Sequence, residues 1–283
     1  MKQNDEEKSD SMPEKPEVMT VVKNLIPRIV GKRITGCNVY WDNIIASPTT
    51  DEFKKKIIGE KINDIVTRGK FIVVGLDHYS LLIHLRMEGK FFFRKKGDSI
   101  AKHEHVEFIL DDDISFRYHD VRKFGKMYLI NKEDTYLVKP LSELGLEFYD
   151  DIKKEYLYEK IHKLRLPIKT ILLDQSIICG IGNIYDDEIL FMSGISPMRR
   201  GCDVSVSECQ KIIDNTKEVL SHAVKLGGTT IKSFTSSEGV HGLFQNELLV
   251  HGKGGSPCPK CGKILEKTKI GGRGTHYCTN CQK

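Results

Sequence analysis

Between residues 33 and 130 the apolar residues fall into short runs and alternations: RITGCNVYW, KINDIVTRG, KFIVVGLD, YSLLIHLRM, KFFFRKK, HVEFIL, ISFRYHD and KMYLIN. Glycine and aspartate clusters separate them. So many short strands at near-regular spacing predict an antiparallel sandwich or barrel. The stretch before them, EVMTVVKNLIPRIVG (17–31), reads as one helix. Val18, Val21, Val22, Leu25, Ile26 and Ile29 recur at helical spacing, Pro27 interrupts the last turns and Gly31 is the stop. From about 150 the period becomes helical. IKTILLDQ (168–175) and NIYDDEILFMSG (183–194) flank the glycine-rich turn SIICGIG. SVSECQKIIDNTKEVLSHAVKLGG follows, with Ser205 and Glu208 spaced as a capping box and Gly227-Gly228 as its end. A Gly/Ser-rich loop, TSSEGVHG, leads to a tail that begins near 246. No internal repeat is present.

At 283 residues and 39% hydrophobic composition the chain is long enough for two or three domains with a real core. No apolar run approaches the ~18 residues that cross a bilayer. The first 11 residues, MKQNDEEKSDS, are acidic and polar with no apolar segment, unlike a secretory signal, so an intracellular protein is expected. The formal charge is +5, and beyond those 11 residues 42 basic side chains face 35 acidic ones. That balance suits a polyanionic partner.

The eight cysteines sharpen the picture. Cys37, Cys179, Cys202 and Cys209 share no pattern, but Cys258, Cys261, Cys278 and Cys281 form two Cys-x2-Cys knuckles with 16 residues between them. Such knuckles supply four thiolates to one tetrahedral zinc ion. With all four positions filled by protein, the ion is structural. The intervening KTKIGGRGTHYC suits a β-hairpin with a glycine tip. Arg273 near that tip, with lysines around it, points to nucleic acid.

Taken together, MPEKPEV (12–18), the β-rich middle, GIGNIYDDE and GGRGTHYCTNCQK resemble the formamidopyrimidine-DNA glycosylase (Fpg/Nei) family over about residues 12–283. The resemblance implies an α+β multidomain fold. An N-terminal helix plus antiparallel β-sandwich forms the catalytic domain (12–145), after an extension at 1–11. A helix–two-turn–helix DNA-binding domain (146–235) follows. The end of a lesion loop and a C-terminal β-hairpin zinc finger with four cysteine ligands (236–283) complete it. The resemblance implies a monomeric, bifunctional glycosylase and AP lyase of base excision repair, acting on damaged double-stranded DNA in the cell's nucleoid, with one structural zinc and no redox cofactor.

The resemblance also assigns roles. Pro13 is the nucleophile once it is N-terminal. A free α-amino group titrates near pKa ~8, leaving a useful neutral fraction, whereas an internal proline is a tertiary amide without an available lone pair. Translation from Met12, or removal of the extension, is therefore expected. Glu14 is the general acid/base, and Glu17 helps organise the N-terminus. Lys70, in TRGKFIV, binds phosphate and serves β-elimination. Arg273 grips the phosphate beside the lesion and serves δ-elimination, a task suited to its planar fork. Asn183 contacts the same phosphate and could also cap its helix. Met87, Arg122 and Phe124 form the wedge that fills the space left by a flipped base. His103 contacts DNA. Lys163 and Lys169 are phosphate or lesion contacts, or a solvated basic face. The loop 228–247 closes over the extruded base.

Three positions beside these depart from the family pattern: Lys15 where Leu is usual, Met19 where Glu is common and Val121 where Pro is frequent. GGTTIKSF and GRGTHYCTNCQ match the oxidised-purine branch. The alternatives are an endonuclease VIII-like enzyme for oxidised pyrimidines, a non-catalytic lesion binder with Pro13 permanently blocked, and a generic zinc-ribbon nucleic-acid binder.

Overall fold

The computed structural model describes residues 12–229 and 242–283. The first helix, α1 (Lys15–Ile29), starts two residues before the predicted span because Glu17 turns back to accept the Glu14 backbone N–H at 2.9 Å. It stops at Ile29, before Gly31 (φ +89°). Val18, Val21, Val22, Leu25 and Ile29 are buried, whereas Ile26 is 43% exposed, so the apolar face is narrower than the spacing suggested. Burial of five such side chains contributes about 1.5–3 kcal/mol each.

All eight strand-like runs form strands. They are β1 (Ile34–Val39), then β3 (Asp64–Arg68), β4 (Phe71–Gly75), β5 (Tyr79–His84), β6 (Lys90–Lys95), β7 (Glu104–Leu110), β8 (Ile114–His119) and β9 (Lys126–Asn131). The pattern did not reveal β2 (Ile45–Ser47) or the helix α2 (Thr50–Ile57). β2 is only three residues long, and α2 buries only Phe53 and Ile57. The strands form two sheets, ordered β1-β7-β8-β6 and β2-β9-β5-β4-β3. Residues of both sheets and of α1 share one core that includes Ile72, Leu81, Phe91, Phe108 and Tyr118.

The register fixes where the loops lie. His84 pairs with Lys126 in one sheet and Lys90 with His119 in the other. The crossovers 85–89 and 120–125, which carry the chain between sheets, therefore run side by side. His84 also pairs with Phe71, which puts the β3–β4 turn at the same end of the sandwich.

After β10 (Leu146–Glu147) come α3 (Lys154–Ile161), α4 (Ile168–Leu172), β11 (Ile178–Cys179), α5 (Asn183–Ser193) and α6 (Val206–Lys225). The Ser205/Glu208 capping box is present. α5 is buried on most sides and joins three cores: Ile184 enters the sandwich, Tyr185, Ile189 and Leu190 the helical cluster, and Phe191 the cysteine-bearing tail. The tail ends in the hairpin β12 (Glu266–Ile270) and β13 (Arg273–Tyr277). Gly271 and Gly272 take its tip with φ of +56° and +77°, a conformation that L side chains rarely adopt. No helix among the described residues is long and apolar enough to cross a membrane.

Candidate active site

The start of α1 lies against the start of α5. The Glu14 carboxylate accepts the Ile184 backbone N–H at 2.9 Å and that of Tyr185 at 3.4 Å. It therefore sits on the positive end of α5. Glycine is required at 182 because a Cβ there would lie 2.1 Å from the Glu14 carboxyl carbon. Glu14 is 2% exposed, and burial raises its pKa from 4.5 to about 7, against the pull of the Lys70 ammonium. A carboxyl poised near neutrality can both give and take a proton. Pro13, directly before it, is buried.

Glu17 ties three segments together. Besides holding the Glu14 N–H, it accepts the Tyr185 hydroxyl at 2.6 Å and the Thr229 backbone N–H at 2.7 Å. Thr229 belongs to the predicted closing loop. Residues 230–241 of that loop lie outside the described residues.

Lys70 lies in the β3–β4 turn and is 6% exposed. Burial lowers its pKa; the Glu14 and Glu17 carboxylates oppose that and the Arg273 guanidinium adds to it. Four residues drawn from the two ends of the chain and from the β3–β4 turn thus share one electrostatic site. Arg273 is exposed at the start of β13. The Asn183 side-chain amide donates to the Gly274 carbonyl at 3.0 Å, fixing the hairpin beside α5. Asn183 does not cap its helix: Gly182 is the N-cap.

The two crossovers that carry the predicted wedge residues lie side by side, as the strand register requires. Met87 is half-buried in one crossover; Arg122 and Phe124 are exposed in the other, the guanidinium 5.0 Å from the ring centroid. Asp120 braces that loop by accepting the Arg122 N–H at 3.0 Å and the Gly125 N–H at 2.8 Å. His103 is half-buried next to it, and its carbonyl accepts the Asp120 N–H at 3.0 Å. Lys163 is exposed.

Lys169 corrects the sequence reading. It is no part of a solvated basic face. Its side chain is fully buried, and its ammonium lies 2.5 Å from Asp187, which also receives His251 at 2.7 Å and His276 at 3.3 Å. With its charge engaged there, Lys169 fastens α4 to α5 and the zinc hairpin.

Sequence reasoning also missed the three consecutive acids of α5. Asp187 organises the cluster just described. Glu188 accepts the backbone N–H groups of Leu249, Val250 and His251. Asp186 is buried with no hydrogen-bond partner on either oxygen, and burial raises its pKa well above the carboxylate range. The available signal was the occurrence of Asp-Asp-Glu in a helix otherwise apolar on most sides.

In the tail, the four knuckle sulfurs lie within 4.8 Å of one another. The Cys258–Cys281 and Cys261–Cys278 separations are 3.8 and 3.6 Å. A tetrahedron with metal–sulfur arms of about 2.3 Å has edges of about 3.8 Å, so the four residues fit one structural zinc ion.

Three family models match the chain: the formamidopyrimidine-DNA glycosylase N-terminal domain over residues 12–127, the H2TH domain over 144–235 and the zinc finger found in FPG and IleRS over 255–283. Formamidopyrimidine-DNA glycosylase of Bacillus cereus is 45% identical over 273 residues, covering 96% of this chain and 99% of the relative. That of Oceanobacillus iheyensis is 43% identical, covering 96% and 98%. Among solved structures, Lactococcus lactis Fpg with abasic-site DNA superposes with a TM-score of 0.88 at 36% identity, covering 95% of this chain and 99% of that one. The same protein with Fapy-dG DNA gives 0.87, again covering 95% and 99%. The chain belongs to the formamidopyrimidine-DNA glycosylase family.

Proposed function

We propose that this protein is a bifunctional DNA glycosylase and AP lyase of base excision repair that removes oxidised purines, 8-oxoguanine and formamidopyrimidines, through Pro13. It acts as a monomer on damaged double-stranded DNA, inside the cell and at the nucleoid. The observation that carries this reading is the buried carboxyl of Glu14, held between the amino end of α5 and Lys70 directly beside Pro13. The relatives' names and the Fapy-dG and 8-oxoguanine duplexes bound by solved homologues support the lesion class.

The chemistry follows from the residues. The acting form is one in which Pro13 is N-terminal; the first family match begins at residue 12, in keeping with this. The neutral Pro13 nitrogen attacks C1′ of the flipped nucleotide. The bond from C1′ to the base breaks, and the base leaves with that electron pair and takes up the proton that the Pro13 nitrogen sheds. Glu14, near half-protonation at neutral pH, donates to the sugar ring oxygen, so the ring opens to an iminium at C1′. Loss of a 2′ proton expels the 3′ phosphate, and a second elimination expels the 5′ phosphate. Lys70 and Arg273 hold those phosphates. Met87, Arg122 and Phe124 fill the vacated stack. Zinc has no step in this sequence; it holds the hairpin that presents Arg273.

Excision of 8-oxoguanine and thymine glycol from matched duplexes by the chain beginning at Pro13 tests the assignment. The expected result is faster cleavage at 8-oxoguanine, leaving phosphate on both ends of the gap. Faster cleavage at thymine glycol would move the protein to the endonuclease VIII-like branch. Tight lesion binding without excision would make it a damaged-DNA-binding protein.

A further inference from the structure

Lys15 is a lysine buried to 0% exposure two residues after Pro13. Its ammonium lies 2.9 Å from Oε1 of Glu147 and 5.5 Å from the centroid of the Tyr149 ring. The same Glu147 oxygen accepts the backbone N–H of Gly69 at 2.7 Å. Gly69 is the residue before Lys70. One carboxylate oxygen, buried at the seam between the sandwich and the helical domain, therefore joins the start of α1 to the turn that carries Lys70. The Lys15 backbone N–H makes a second tie, donating to the Gly180 carbonyl at 3.2 Å, just ahead of α5. Arg68 flanks the cluster, its guanidinium 3.5 Å from the same oxygen and bonded to the carbonyls of Leu144 and Gly145.

Nothing assigned so far explains why a charge is buried at position 15. A buried ammonium is costly unless it is paired and hydrogen-bonded, and losing one partner of such a pair strands the other. The cost suits a position where geometry must be held, because small displacements of reacting groups are expensive in rate.

We propose that Lys15 is a positioning residue for the reaction: through the shared oxygen of Glu147 it locks the Pro13–Glu14 end of α1 to the Lys70 turn. This rests on the reading of Pro13, Glu14 and Lys70 as the reacting and phosphate-holding groups. The lock has an electrostatic consequence. Lys70 is the strongest charge holding the Glu14 pKa down, so a loosened turn would let the Glu14 ionisation move to higher pH.

The test uses the chain beginning at Pro13, with single-turnover excision of 8-oxoguanine measured across pH and duplex affinity measured alongside. Lys15→Met is expected to slow excision about tenfold, leave lesion-duplex affinity within about threefold and move the limb near pH 7 upward. Glu147→Gln is expected to act likewise, and the double variant to be no slower than the slower single one, because both act through one atom. Lys15→Leu, a second apolar replacement, guards against a misfolded Met variant. Wild-type rates with an unmoved limb in both Lys15 variants would overturn the proposal, as would losses that multiply in the double variant. A wild-type chain that excises nothing would remove the underlying reading and the proposal with it, and the wild-type control separates that failure from the others.

Discussion

The zinc hairpin and the start of α1 both depend on clustered ionisable side chains, but they are assembled in opposite ways. The four thiolates come from one stretch of 24 residues, with two tight knuckles setting their geometry. The carboxyl site draws Glu14 and Glu17 from one end of the chain, Lys70 from a β-turn and the backbone of Ile184 and Tyr185 from a buried helix. In the hairpin a metal supplies the compensating charge. At the α1 start, protein dipoles and the buried Lys70 ammonium supply it, and the carboxyl remains shifted to about 7. A metal-held cluster keeps its ligands deprotonated, whereas a protein-held one leaves a carboxyl whose protonation can change near neutral pH, which proton transfer can use.

Removal of zinc separates the two regions most visibly. Structural zinc contributes about 10 kcal/mol or more in comparable small domains. Chelation or Cys278→Ser is expected to abolish hydrogen-exchange protection in 256–282 while the sandwich and helical domain keep theirs. Lesion-duplex affinity should fall by about a hundredfold as Arg273 loses its place. The opposite region responds in rate, not in fold: Glu14→Gln should lower excision by about 10²–10⁴-fold in a single-turnover assay with lesion binding retained.

A pH experiment sharpens the distinction. The Glu14 pKa is higher folded than unfolded, so its contribution to stability is full below pH 4.5 and is lost as pH rises through about 7. The difference amounts to about 3 kcal/mol. Between pH 5 and 8, denaturant unfolding should show wild type losing that much relative to Glu14→Gln; parallel curves would mean that Glu14 is not held in a raised state. The smallest effect belongs to the exposed surface. Lys163→Ala should reduce the salt slope of duplex binding by about 0.9 and the affinity by only a few fold, measured by titration at several salt concentrations.

The contrast also explains what was legible in the sequence. The Cys-x2-Cys spacing and the glycine tip of the hairpin are local, and the eight strands betray themselves by short apolar runs. The Ser205/Glu208 cap is likewise a matter of four adjacent residues. The α1–α5 site is not local: nothing in MPEKPEV says that Glu14 will rest on Ile184 or that Glu17 will reach Thr229. Only the family resemblance singled out Glu14 and Lys70. It could not announce Lys15–Glu147 or the burial of Lys169, where tertiary pairing overrides the usual exposure of a lysine. The short β2 and α2 escaped because each buries too few side chains to leave a period.

The most direct measurement is borohydride trapping on an 8-oxoguanine duplex, with the cross-linked residue identified by mass spectrometry. The chain starting at Pro13 and the mass-verified 283-residue chain would be compared. A reduced adduct on Pro13 is expected in the first chain and none in the second. Equal trapping by both, with the adduct on another amine such as Lys70, would contradict it.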